Sequence, residues 1–110
     1  MLKKENRLPL KNKLDNNSVI PTQYFILKVG KNENHNIRIA VIVGKKVDNR
    51  AIYRNRIRRQ IHEAIKNIFE KINLGTDLLF IIKKEAIGKT TKDISLEVEK
   101  TLKKGNLLKW

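Results

Sequence analysis

Residues 57–72 read Ile57-Arg-Arg-Gln-Ile61-His-Glu-Ala64-Ile65-Lys-Asn-Ile68-Phe69-Glu-Lys-Ile72, with apolar side chains returning every three or four positions. That spacing predicts an amphipathic helix whose apolar stripe faces a core, with Gly75 beyond it as a stop. Just upstream lies charge of an unusual kind. Five of the chain's seven arginines fall between Arg50 and Arg59, whereas the other basic residues are eighteen lysines. Arginine presents a rigid fork of donors that matches phosphate oxygens, so clustering it implies a demand on geometry as well as on charge.

Working outward from the helix, residues 78–82 (Leu-Leu-Phe-Ile-Ile) form a short continuous apolar run suited to a buried strand and too short to span a membrane. Thr90 and Asp93 resemble a capping box ahead of Ile94, Val98 and Leu102, which predicts a second amphipathic helix ending near Gly105. On the N-terminal side, residues 24–29 are β-prone and break at Gly30. Residues 31–36 have turn composition and 37–43 (Ile-Arg-Ile-Ala-Val-Ile-Val) resume the pattern, which together predict a hairpin. Alternation puts Phe25, Leu27, Val29, Ile39, Val41 and Val43 on an apolar face. It leaves Tyr24, Ile26, Lys28, Arg38, Ala40 and Ile42 on a mixed one. Residues 1–21 are polar and carry Pro9 and Pro21, so a flexible or weakly helical N-terminal arm, with any helix around residues 11–17, is expected before a single domain over residues 22–110. The order arm, strand, strand, helix, strand, helix predicts an α+β fold with helices against a mostly antiparallel sheet.

A length of 110 residues supports one domain with one modest core. With 25 basic and 11 acidic residues the net charge is +14, a self-repelling field whose natural partner is nucleic acid. A membrane-surface protein would need a continuous amphipathic helix of large apolar residues, and the apolar segments here have the character of core elements. The N-terminus is charged with no apolar run behind it, the pattern of neither a signal peptide nor an anchor, so a cytoplasmic location is expected. The absence of cysteine excludes disulfides, thiolate catalysis and cysteine-based zinc sites. No glycine-rich phosphate loop or paired-histidine metal motif occurs. Asp15, Asp48, Glu63, Asp77 and Asp93 are dispersed, unlike the clustered carboxylates of a nuclease acting alone with metal ions.

On the predicted helix, Arg54, Arg58 and His62 follow one line, with Asn55 and Arg59 beside it and the apolar stripe starting at Ile57 adjacent. Neighbours at this spacing have Cβ atoms about 5–6 Å apart, close to the phosphate step of one nucleic-acid strand, and the positive end of the helix dipole adds to the attraction. Like charges at this spacing destabilise an isolated helix by a few tenths of a kcal/mol per pair. Glu63 is the only acid between Arg50 and Lys66 to offset them, so the cluster reads as functional. Asn55 adds an acceptor that arginine lacks. His62 has no neighbouring Ser, Cys or His with which to form a catalytic pair.

The run Gly44-Lys45-Lys46-Val47, followed by Arg54-Asn55-Arg56-Ile57-Arg58-Arg59 and Glu63, resembles the signature of the protein subunit of bacterial ribonuclease P. The preceding apolar strand, the later Asp77-Leu-Leu-Phe-Ile-Ile-Lys-Lys and the terminal helix occur in that family's order, over about residues 24 to 104. The resemblance implies an auxiliary subunit of an RNA enzyme, in which a catalytic RNA with magnesium releases the 5′ leader from precursor tRNA. It assigns this chain no catalytic group, no required protein partner and no membrane, and leaves open whether the protein itself binds metal ions. It implies an RNA-binding surface of Lys45, Lys46, Arg50, Arg54, Asn55, Arg56, Arg58, Arg59 and His62. A leader-binding face would comprise Tyr24, Ile26, Lys28, Ala40 and Ile42. It further implies a left-handed crossover around the motif helix, against the usual hand. Three departures stand out: His62 replaces a usual arginine, the N-terminal helix region lacks the aromatics common there, and Lys28 stands where an exposed aromatic is frequent. A small ribosomal or ribosome-assembly RNA-binding protein is the alternative that the charge alone would also fit.

Overall fold

The computed structural model describes residues 4–9, 18–33 and 35–109. Four strands, β1 (Ser18–Pro21), β2 (Phe25–Lys31), β3 (Arg38–Ile42) and β4 (Thr76–Ile82), form one sheet, and two helices, α1 (Ala51–Asn67) and α2 (Thr91–Lys104), pack on one side of it. The strand order is β1-β2-β4-β3, with β3 parallel to β4 and the other pairs antiparallel. This corrects the expected hairpin, because β4 lies between β2 and β3. Both segments carry the right alternation, but alternation reports the face of a strand and not its neighbour. β4 buries five of its seven residues, as the central place requires.

The inner face of the sheet presents Phe25, Leu27, Ile39, Leu78, Phe80 and Ile82, all buried under Ile57, Ile61 and Ile65 of α1 and Ile94, Val98 and Leu102 of α2. Phe25 and Phe80 meet edge to face, with centroids 5.1 Å apart. Each such side chain contributes roughly 1.5–3 kcal/mol by leaving water. The apolar stripe read over residues 57–72 is real, yet α1 ends at Asn67 and the chain continues as a single 3-10 turn, Phe69–Lys71. Gly75 therefore stops no helix. It takes φ +75° in the turn before β4, where its carbonyl accepts from Asn32 N–H at 2.8 Å.

The α2 capping box is present: Thr90 Oγ1 accepts from Asp93 N–H at 3.1 Å, and Asp93 Oδ2 from Thr90 N–H at 3.4 Å. Gly105 caps the other end, and a Cβ there would stand 2.7 Å from Ile20 Cδ1, so the missing side chain lets β1 lie against the helix terminus.

Residues 18–21, read from sequence as part of the arm, are strand β1 paired with β2. Farther upstream, Leu8 N–H donates to Ile39 O at 2.9 Å and Asn6 Nδ2 to Ile37 O at 2.8 Å, covering the outer edge of β3. The possible helix around residues 11–17 lies outside the described residues.

Candidate nucleic-acid interface

α1 begins without a side-chain cap from its own N-cap residue, Arg50. Instead Asp48 Oδ1 accepts the Arg50 backbone N–H at 2.8 Å, and its two oxygens take the Arg50 guanidinium through Nε at 3.0 Å and Nη2 at 2.8 Å. These bonds hold the Asp48 carboxyl down at about 2 and raise Arg50 further. Arg50 is therefore not the unencumbered phosphate fork that the sequence implied. Arg54 is half-buried and donates to Asp48 O at 3.0 Å, and Arg58 donates to Asn55 Oδ1 at 2.9 Å.

Arg56 and Arg59 are exposed and make no hydrogen bond or ion pair among the described residues. Lys45 and Lys46 are exposed in the turn between β3 and α1. α1 thus offers two free guanidinium groups, two already oriented by neutral acceptors, and one neutralised by a carboxylate. The second polar side of α1 was not legible: Gln60, buried on the helix, donates to Lys89 O at 3.0 Å and Thr91 Oγ1 at 3.4 Å, locking α1 to the start of α2.

A cleft of about 330 Å³ separates the N-terminal segment from α1, lined by Asn6, Arg7, Ile39, Arg59, His62, Glu63 and Lys66. Partial burial there, followed by the charge of Arg7, lowers the His62 pKa from its ordinary 6.5. Arg7 was not singled out from sequence because its place depends on residues 6–8 crossing to the edge of β3.

The sheet face away from the helices is ordered in two rows by strand register. Val19, Lys28, Leu79 and Ala40 lie side by side in one, and Pro21, Ile26, Ile81 and Ile42 in the other. Ile26, Lys28, Ala40 and Ile42 thus share a face, as the alternation implied, and the hidden members are Val19, Leu79 and Ile81. Val19 is 53% exposed and Ile42 37%. Arg38 lies on this face by register, beside Asp77, and is held there in an ion pair with it, its side chain 17% exposed. Tyr24 precedes β2, is partly buried against the core cluster, and has the Lys89 ammonium 5.6 Å from its ring centroid, so it is not a bare stacking platform.

Among the described residues no group of three or more His, Asp or Glu side chains could hold a metal ion, and no helix is long and apolar enough to cross a membrane. A strongly basic helix laid across one sheet face, with the other face uncovered among the described residues, defines a small α+β RNA-binding subunit. The family model for ribonuclease P matches residues 10–106. The ribonuclease P protein component of Clostridioides difficile (strain 630) is 37% identical over 86 residues, covering 77% of this chain and 75% of that one. A Staphylococcus aureus RNase P protein structure superposes with a TM-score of 0.75 at 28% identity, covering 83% of each chain. A mutant of the S. aureus protein, described as defective in mRNA degradation activity, gives a TM-score of 0.76 at 27% identity, covering 84% of this chain and 77% of that one. The chain belongs to the ribonuclease P protein family and serves as a protein subunit of that tRNA-processing ribonucleoprotein. The ribosomal alternative is set aside.

Proposed function

We propose that α1 grips the catalytic RNA while the open sheet face receives the single-stranded 5′ leader of precursor tRNA. On this reading Lys45, Lys46, Arg54, Asn55, Arg56, Arg58, Arg59 and His62 meet the ribonuclease P RNA, and Ile26, Lys28, Ala40 and Ile42, joined by Val19, Leu79 and Ile81, meet the leader. The observation that carries it is the pair of unoccupied guanidinium groups, Arg56 and Arg59, on a helix whose opposite side is fixed in the core. Free donors on a rigid support bind phosphates without first breaking a protein contact. The leader face is mostly aliphatic with one ammonium, a surface that accepts a strand by apolar contact and backbone charge with little reading of base edges.

Hydrolysis belongs to the RNA and its magnesium ions, and the chain supplies charge that offsets repulsion between two RNAs. It acts in the cytoplasm without a required protein partner, and the β3–α1–β4 crossover takes the family's left-handed course. The test is reconstitution. Rigorously RNA-free protein should leave precursor tRNA intact, and its addition to the catalytic RNA should restore cleavage at magnesium levels too low for the RNA alone. Cleavage by RNA-free protein would overturn the division of labour.

A further inference from the structure

The geometry points to the Arg50–Tyr53 pair at the start of α1 as a seat for an unpaired nucleobase of the partner RNA, stacked on the outer face of the Arg50 guanidinium. This rests on the reading of α1 as the helix that meets that RNA, and deepens it by assigning one residue a mode of contact different from its neighbours.

A guanidinium has donors in its plane and a π face on either side. The plane of Arg50 is engaged by Asp48, through Nε–Oδ1 at 3.0 Å and Nη2–Oδ2 at 2.8 Å. One face is engaged by Tyr53, with Cζ 4.0 Å from the ring centroid. Yet the side chain remains 59% exposed, and among the described residues no second ring lies over its other face. A phosphate seeks the in-plane donors and would there meet the full negative charge of Asp48. A nucleobase approaches face-on, carries no net charge, and gains from the polarisable plane beneath it.

The seat is held from several sides, so the cost of ordering a long arginine falls on folding and not on binding. Asp48 is fixed by the Arg50 backbone N–H at 2.8 Å, and Tyr53 N–H donates to Arg50 O at 3.2 Å in the first turn of the helix. Arg54 also holds the Asp48 backbone in place, donating to its carbonyl at 3.0 Å. An aromatic ring and a guanidinium stacked on it at the positive end of a helix are the components of a base platform.

The test compares the full chain with Arg50→Ala, Arg50→Lys, Tyr53→Leu and Arg59→Ala in binding to ribonuclease P RNA over a series of salt concentrations. Base-directed chemical probing of the bound RNA is run alongside, and thermal melting confirms folding. Arg50→Ala and Tyr53→Leu should each raise Kd by on the order of tenfold, leave the salt slope at its wild-type value, and restore reactivity at one and the same unpaired base. Arg50→Lys keeps the charge but not the plane and should likewise expose that base. Arg59→Ala should instead lower the salt slope by roughly 0.7–0.9 and leave that base protected. The proposal is overturned if Arg50→Ala lowers the slope as Arg59→Ala does, or if the variants melt lower but change no base in common. A wild-type chain that fails to bind the RNA overturns this and the underlying reading together. An Arg59→Ala slope equal to wild type, with the base-specific losses intact, overturns only the assignment of phosphate contacts.

Discussion

Arg38 and Asp77 are register partners across the parallel strands β3 and β4, and they close a bidentate ion pair, Nε–Oδ1 and Nη2–Oδ2 both 2.8 Å. Asn32 Nδ2 donates to the same carboxylate at 2.7 Å and to Asn36 O at 3.0 Å, tying the β2–β3 connection to the strand that separates them. Asp77 is 2% exposed, so removing it leaves Arg38, whose side chain is only 17% exposed, without its counter-charge. Asp77→Ala should cost about 3 kcal/mol, the low end for a broken buried pair because Arg38 retains some access to water. Urea denaturation reads this directly. A loss below about 1 kcal/mol would mean that the pair does not hold β3 in place.

The His62 ring shares its cleft with Arg7 from the N-terminal segment and with Arg59, Glu63 and Lys66 from α1. Burial first, and Arg7 second, place its pKa below 6.5. The folded free chain therefore binds fewer protons at this site than the unfolded chain does. This stability is fully present above 6.5 and declines as pH falls through the folded value. A phosphate entering the cleft reverses the balance, so RNA affinity should strengthen as pH falls from about 7.5 to about 6, and His62→Gln should flatten the dependence. Titration by NMR should show Arg7→Ala moving His62 upward. A ring insensitive to both Arg7→Ala and RNA would refute the assignment.

The arginines of α1 should separate by their internal bonds. Arg56→Ala and Arg59→Ala remove unpartnered surface groups, so each should change stability by less than about 0.5 kcal/mol while reducing RNA affinity. Arg54→Ala also strips a donor from Asp48 O and a half-buried stem, and should cost about 1 kcal/mol of stability as well. Thermal melts run beside binding isotherms distinguish the two behaviours.

Leu79 sits between Lys28 and Ala40 in the middle of the open face. Placing a carboxylate there by Leu79→Glu should weaken holoenzyme binding of leader-bearing precursor tRNA by about fivefold or more through repulsion of the backbone. Binding of mature tRNA should hardly change. Leu79→Gln serves as the neutral comparison, and equal losses for both RNAs would remove the leader from this face.

The parts of the fold carried by local periodicity were legible. The stripe Ile57, Ile61, Ala64 and Ile65, the Thr90–Asp93 box and the alternation of β2 and β3 each announce an element and the face it buries. What depends on partners far along the chain was not. Nothing in residues 24–43 reveals that β4 will separate two strands that read as a hairpin, and the all-apolar run of β4 conceals which side Leu79 and Ile81 take. β1 was missed because Ser18, Val19, Ile20 and Pro21 are too few to show a period and end in a residue that weakens strands. At the interface, the arginine cluster was plain, but the diversion of Arg50 to Asp48 and of Arg38 to Asp77 depends on side-chain geometry that charge counting does not contain.

The position of β4 also sets a schedule for synthesis. It is the last strand to leave the ribosome and the one that joins β3 to the rest of the sheet. Until residue 82 has emerged, Phe25, Leu27 and Ile39 have no central strand to cover them, and the nascent chain already displays its arginine helix. Long-range pairing of this kind delays folding and leaves apolar surface open in the interval. A chain ending before Thr76 would carry most of the protein's basic side chains, yet have only the short β1–β2 pair to organise them.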